Sequence, residues 1–236
     1  MDNNENFERL YNELDDLLRK KYHLDMNASG VYFHESNVDP QTAGNLHMLR
    51  ELRNYIVHEK RPNTIDACTV TNDSILYLQK MIDKVKKPKR AIDVCVPKEQ
   101  VLFATLTSTI QPLMAKMLER NISHVPVLDA NGLVYGVFSG ATMFAYIASQ
   151  DAITVQKTTI MKQFNDFLPI HKHIGERYWF IAKNAPIEDV IALFGKTMKD
   201  GKKLKMLFVT ENGKPEERIL GLITPWNILD DDVVAI

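Results

Sequence analysis

The stretch Ser123-His124-Val125-Pro126-Val127-Leu128-Asp129-Ala130-Asn131-Gly132, running on to Gly136-Val137-Phe138-Ser139, decides how the chain is read. His124 to Leu128 and Leu133 to Phe138 are apolar runs of strand length, and Asp129-Ala130-Asn131-Gly132 between them is turn chemistry. Two paired strands joined by a tight turn are therefore expected. A helix then opens at Ser139, whose hydroxyl can accept from an otherwise unpaired N–H at the helix start, and runs to about Ser149. Upstream, Val101 to Leu106 reads as a strand. Ser108 or Thr109 then caps a helix that carries Ile110, Leu113, Met114, Met117 and Leu118 on one face and tolerates Pro112 in its first turn.

The same order of elements returns further along. Tyr178 to Lys183 reads as a strand, Asn184 and Pro186 start a helix bearing Ile187, Val190, Ile191 and Phe194, Met206 to Thr210 and Ile219 to Ile223 read as paired strands, and Thr224 opens a last helix. Matching Ile110 to Ile187 gives an offset of 77, Val125 to Leu207 gives 82, and Gly136 to Gly221 gives 85. The growth falls in two loops, Lys199 to Lys203 and Lys214 to Glu217, as it would in a duplicated β-α-β-β-α unit.

The N-terminal third keeps a helical period instead. Phe7, Leu10, Tyr11, Leu14, Leu17 and Leu18 recur at i, i+3, i+4 spacing; a loop marked by Asn27, Gly30, Asn37, Pro40 and Gly44 follows; Leu46 to Glu59 is helical again and ends at Arg61-Pro62-Asn63. A third helix runs from about Asn72 to Lys87 with Ile75, Leu78, Met81, Ile82 and Val85 inward, beside the basic string Lys84, Lys86, Lys87, Lys89 and Arg90. In the second helix Met48, Leu49, Leu52 and Ile56 share an apolar arc that also contains Arg53, while Asn54 and His58 stack on the adjoining face.

The charge pattern follows the same divisions. The chain has 236 residues, 29 basic and 30 acidic side chains and a net charge of −1. Residues 1–90 hold 14 of each sign, residues 91–150 hold 4 acidic and 3 basic, and residues 151–236 hold 12 of each. A stretch so poor in charge is expected to be buried, and the overall balance argues against a strongly polyanion-binding surface. Two distant cysteines, Cys68 and Cys95, point to no disulfide framework and no zinc site, so no metal is expected. The pair His171 and His173 is expected in an exposed connector, Lys202, Lys203 and Lys205 in a solvated loop, and Met114, Met117, Met143 and Met198 in the core. No apolar run is long enough for a membrane span and no export signal is read, which fits a reducing cytoplasm.

The residues from about 92 to 236 resemble paired cystathionine-β-synthase (CBS) domains, the Bateman module. The resemblance is carried by Ser123 to Asp129, Asn131-Gly132 and Gly136-Val137-Phe138-Ser139 in the first unit, and by Leu207-Phe208-Val209, Asn212-Gly213 and Gly221-Leu222-Ile223-Thr224 in the second. It implies a regulatory adenosine-containing ligand (AMP, ADP, ATP, S-adenosylmethionine or a cyclic dinucleotide) held in clefts between the units, with no other cofactor required. Ser139 and Thr224 would lie beside ribose or phosphate, and Ser123, His124, Val125, Pro126, Leu207 and Phe208 would flank the base. By analogy Thr105, Thr107, Tyr178, Phe180 and Ala182 would line the cleft. Where the family's Gly-h-h-Ser/Thr-x-x-Asp motif ends in a carboxylate that grips ribose, this chain has Thr142 and Asn227, both weaker acceptors. A changed ligand, a single functional site, or a module kept as a dimerisation scaffold would each account for that departure.

Leu52 to His58 resembles the Arg-x4-6-His signature of the HEPN superfamily, small helical domains that include metal-independent ribonucleases and usually work as dimers. The resemblance implies attack of an RNA 2′-hydroxyl on the adjacent phosphate, with Arg53 stabilising negative charge, His58 moving a proton and Asn54 orienting either group. The expected chain is thus α+β: a HEPN-like helical bundle over residues 1–90, a first CBS unit over 91–150, and a connector with a second CBS unit over 151–236. The expected function is nucleotide sensing that controls action on RNA, in a homodimer or dimer of dimers. The alternative is a non-enzymatic sensor or scaffold in which the bundle dimerises or docks a partner, such as a nucleotidyltransferase, and Arg53 pairs with Asp15 or Asp16.

Overall fold

The computed structural model describes residues 2–59, 68–150, 156–196 and 201–229, with the side chains of residues 58 and 59 left aside. The helix end expected at Arg61-Pro62-Asn63, Met198, and residues 199 and 200 of the first loop insertion lie outside the described residues. The chain divides into two compact units at Lys89 and Arg90.

The first unit is helical. Helix α1 (Asn3–Lys21) buries Phe7, Leu10, Tyr11, Leu14 and Leu18 and ends on Arg19, Lys20 and Lys21, where positive charge suits a helix C-terminus. A short helix α2 (Gly30–Glu35) occupies the segment read from sequence as loop. Its N-cap Ser29 and the N–H of Val31 both donate to the Asp15 carboxylate, at 2.8 and 3.0 Å. Gly30 makes this docking possible, because a Cβ there would come within 2.4 Å of the Asp15 carbonyl. Helix α3 (Pro40–Glu59) starts six residues before Leu46. Asp39 accepts from the N–H groups of Gln41 and Thr42, both at 3.0 Å, with Pro40 in the first helical position. Helix α4 (Asn72–Lys86) begins after the N-cap Thr71 and buries Leu78, Met81 and Ile82. Met48, assigned to the apolar arc of α3, is instead 64% exposed, while Leu46, Leu49 and Ile56 join the core. The arc is therefore narrower than its sequence period suggests.

The second unit carries two sheets. After the single turn α5 (Ala91–Val94) come β1 (Val96–Pro97), β2 (Ala104–Thr105), α6 (Ile110–Glu119), β3 (His124–Leu128), β4 (Val134–Ser139) and α7 (Gly140–Ala148). Then follow β5 (Glu176–Ala182), α8 (Ile187–Gly195), β6 (Lys203–Thr210), β7 (Gly221–Ile223) and α9 (Pro225–Ile228). One sheet has the order β2-β3-β4 and the other β1-β7-β6-β5. In each, a parallel pair sits beside an antiparallel pair: β2 with β3 and β3 with β4 in the first, β5 with β6 and β6 with β7 in the second. The strand β1 crosses to the second sheet and pairs antiparallel with β7, Val96 opposite Leu222.

The turn at 129–132 closes as its residues demand. Gly132 takes φ +78°, and the Asp129 carboxylate accepts from the N–H groups of Asn131 and Leu133, at 2.9 and 2.8 Å. Elsewhere the expectations shift. The strand expected over Val101 to Leu106 shrinks to Ala104–Thr105, because the Thr105 N–H turns to Ser108 Oγ at 2.9 Å rather than to a strand partner. Neither Ser108 nor Thr109 caps α6 through its side chain; the Ile110 N–H goes to the Thr159 carbonyl at 3.0 Å. On α6, Ile110, Leu113 and Met117 are buried, while Met114 is exposed and Leu118 is 83% exposed. Asn184 accepts from Arg90 at 3.2 Å instead of capping α8. Lys203 and Lys205 stand on β6 rather than in a loop.

Candidate functional site

Four side chains from four stretches of the second unit converge on Glu176. Strand pleating puts Glu176 and Tyr178 on one face of β5, and the Tyr178 hydroxyl donates to Glu176 Oε2 at 2.8 Å. In the β3–β4 register His124 lies directly opposite Ser139, which brings both side chains to one place. Ser139 Oγ donates to Glu176 Oε2 at 2.8 Å, and His124 Nε2 lies 3.0 Å from Oε1. His173, from the connector, places Nδ1 3.2 Å from Oε2 and Nε2 3.1 Å from the Leu168 carbonyl, so each ring nitrogen faces an acceptor. At 3% exposure it is a core residue, not part of an exposed connector; its neighbour His171 is exposed.

These contacts set the electrostatics. Burial works to raise the Glu176 carboxyl, but hydrogen bonds from His124, His173, Tyr178 and Ser139 together hold it well below the usual carboxylate range. Burial, and then the Glu176 charge, push the Tyr178 phenol up. The site is thus a carboxylate fixed as an anion inside a closed shell of donors, suited to holding β5 against β3, β4 and the connector.

Ser139 caps α7 and is spent in doing so. It accepts from the Thr142 N–H at 3.3 Å, while Thr142 Oγ1 accepts from the Ser139 N–H at 3.1 Å and donates to the Val137 carbonyl at 3.2 Å. Both residues are 1% exposed. At the matching turn of the second half, Thr224 donates to Asn227 Oδ1 through both its N–H and its hydroxyl, each at 2.8 Å, and both residues are only half-buried.

The other residues singled out from sequence fall into three groups. Val125, Pro126, Tyr178, Leu207 and Phe208 are buried within the sheets. His124, Phe180 and Ala182 are half-buried, with the Phe180 ring 5.2 Å from that of Phe208. Thr105, Thr107 and Ser123 are exposed; the first two hydroxyls lie 3.0 Å apart. A cleft of about 480 Å³ runs between α7 and residues 166–174, walled by Phe144, Phe167 and Ile174 and floored by Thr142 and His173. Of the sequence-derived ligand residues only Thr142 lines it. Glu176 was not singled out from sequence, although a glutamate two residues before Tyr178 on one strand face is a signal of an inward carboxylate.

In the helical unit Arg53, Asn54 and His58 share α3, and the side chain of His58 lies outside the described residues. Arg53 is half-buried, and its Nε has no hydrogen-bond partner among the described residues. The expected pairing with Asp15 or Asp16 is not formed: both carboxylates pair with Arg19. Arg53 acts instead on Tyr11, whose phenol burial and Asp15 push up to about 12 against the opposing pull of Arg53 and Arg50. No group of three or more histidine, cysteine or acidic side chains suited to a metal ion occurs among the described residues, and no described helix is long and apolar enough to cross a membrane.

Residues 91–149 match the family model of the CBS domain, so the chain contains a CBS domain. The methylated protein MJ0556 of Methanocaldococcus jannaschii is 26% identical over 162 residues, covering 66% of this chain and 79% of its own length. Among solved structures, an acetoin utilization protein (AcuB) from Vibrio cholerae aligns at 18% identity over 61% of this chain and 89% of its own, with a TM-score of 0.44. CBSX2 in complex with AMP aligns at 16% identity over 59% and 92%, with a TM-score of 0.42. The CBS domain pair of MJ0100, in complex with 5-methylthioadenosine and S-adenosyl-L-methionine, aligns at 15% identity over 60% and 94%, with a TM-score of 0.40.

Proposed function

We propose that the second unit senses an adenosine-containing ligand (AMP, ADP, ATP or a cyclic dinucleotide) and sets the state of the helical unit. The observation that carries this reading is the CBS match over residues 91–149. A repeat of its element order in β5 to α9 supports a paired module of units 91–150 and 151–236, ending in the half-exposed Thr224 and Asn227. Control requires the ligand to favour one arrangement of the protein over another, since equal affinity shifts nothing. A thermal-shift panel of AMP, ADP, ATP, S-adenosylmethionine and cyclic dinucleotides tests it: a rise in Tm with one class is expected, and no rise with any of them sinks the nucleotide reading.

The helical unit is the output of that sensor. One reading is a HEPN-type ribonuclease acting through Arg53, Asn54 and His58, and it is favoured by an arginine whose Nε is buried without a partner among the described residues. Cleavage of a mixed RNA substrate that disappears in His58→Ala is the expected result; cleavage that survives the substitution excludes this chemistry. The second reading, dimerisation or partner docking in a homodimer or dimer of dimers, is favoured by exposed Tyr32, Phe33, Met48, Tyr55 and Leu76. It predicts a concentration-dependent sedimentation profile that Met48→Lys weakens.

A further inference from the structure

The geometry points to Ser123 as an activated nucleophile: a modification site that takes an acyl group from a thioester or an activated ester, with His124 as its base and Glu176 as the group that positions His124.

Three side chains bonded in series carry the inference. Ser123 Oγ lies 2.7 Å from His124 Nδ1, and His124 Nε2 lies 3.0 Å from Glu176 Oε1. A neutral imidazole has one N–H, and an ionised carboxylate only accepts. With Glu176 an anion, the ring proton sits on Nε2, and Nδ1 offers its lone pair to the Ser123 hydroxyl. Nucleophile, base and orienting carboxylate are each within hydrogen-bond reach of the next.

The backbone delivers Ser123 to that place. Helix α6 ends with Asn121 at φ +53°, the Ile122 N–H returning to the Met117 carbonyl at 2.8 Å and the Asn121 N–H to the Leu118 carbonyl at 3.2 Å. The chain then enters β3 at His124, one residue past Ser123. Exposure falls along the series: Ser123 is exposed, His124 is half-buried, and the Glu176 side chain is 13% exposed. A reagent in solvent therefore reaches the hydroxyl, while the carboxylate behind it is fixed by Ser139, His173 and Tyr178.

In the reaction Ser123 Oγ bonds to the carbonyl carbon of the donor as its proton passes to His124 Nδ1. The adduct then expels the thiolate or alkoxide, which takes that proton from the ring and leaves an ester on Ser123.

Acetylation of the full chain by p-nitrophenyl acetate, followed serine by serine by peptide mass spectrometry, tests the proposal. Ser36, exposed and turned to the Tyr32 carbonyl at 3.5 Å, is the internal reference. Ser123 is expected to react on the order of 100-fold faster than Ser36, and His124→Gln to remove that advantage while leaving Ser36 unchanged. Glu176→Gln should slow Ser123 when His124 is present and have no further effect in His124→Gln, a dependence that a merely structural loss does not show. Equal slowing on both backgrounds overturns the role given to Glu176. Ser123 reacting no faster than Ser36, or keeping its rate in His124→Gln, overturns the whole proposal, and these two comparisons decide it even where Glu176→Gln does not fold.

Discussion

Ser139, the N-cap of α7, donates its hydroxyl proton to Glu176, 37 residues further along the chain. The bond joins the end of β4 to the start of β5, which lie in different sheets, and His124 and His173 brace the same carboxylate from either side. Charge-assisted hydrogen bonds of this kind contribute about 1.5–3 kcal/mol each before the cost of burying the charge. Glu176→Gln presents an amide N–H group to a shell of donors, so a loss of about 2–3 kcal/mol is expected in urea unfolding at about pH 7.

The same substitution has a defined pH signature. The folded-state pKa of Glu176 is depressed below its ordinary 4.5, so its contribution is fully present above that value and is lost as pH falls toward the much lower folded value. Wild type and Glu176→Gln should therefore differ by a constant amount near neutrality and converge below about pH 4. An undiminished gap at about pH 3 would refute the assignment of that stability to the ionised carboxylate.

A carboxylate placed at the two matching turns should have opposite outcomes. Thr142→Asp buries a second negative charge beside Ser139 and its partner Glu176 and should cost about 3–5 kcal/mol. Asn227→Asp keeps the acceptor for the Thr224 N–H and hydroxyl in a half-exposed place. It should leave stability within about 1 kcal/mol and tighten nucleotide binding. Equal destabilisation of both variants would contradict the difference in burial between the two turns.

Two glycines give a contrast that reads directly on packing. Gly136→Ala drives a Cβ into the Leu168 carbonyl, whose own hydrogen bonds to Val137 and His173 keep it from moving, and a loss of about 2–3 kcal/mol is expected. Gly44 stands exposed inside α3, and a methyl group added there would meet nothing within 4 Å. Gly44→Ala should stabilise the helical unit by about 0.5–1 kcal/mol, measured as a rise in the midpoint of its thermal unfolding.

The legible parts of the sequence were those where local chemistry and burial agree. The strands β3 and β4, their Asp129–Gly132 turn and the cap at Ser139 lie within a residue of where the sequence puts them, because turn residues, β-branched runs and an N-cap serine all favour the same backbone. Where tertiary contacts overrule local signals, the sequence misleads. Gly30 and Gly44 read as loop markers, yet Gly30 is required by the close approach of α2 to α1, and Pro40 starts α3 rather than ending a loop. The β5 strand extends back to Glu176, a residue type rarely buried, and its partner His173 lies on a connector without periodicity. The polar centre of the second unit was therefore only partly legible: Tyr178 implies an inward face for Glu176, but the partners of that carboxylate are supplied by long-range pairing.

Arg53 provides the sharpest separation between structure and activity. A buried guanidinium nitrogen without a partner among the described residues costs stability, and the carboxylates expected to pair with it, Asp15 and Asp16, are held by Arg19. An arginine kept for structure would lower the Tm when removed, whereas here Arg53→Met retains the apolar stem, removes the desolvated charge and should hold or raise the Tm of the helical unit. Arg19→Met, which strips the partner from Asp15 and loosens the docking of α2, should lower it by about 2–5 °C. If Arg53→Met is instead the more damaging of the two, Arg53 is a structural group and the RNA reading of α3 loses its support. If it is neutral or stabilising while RNA cleavage or ligand-dependent output falls, the residue is retained for function at the expense of stability.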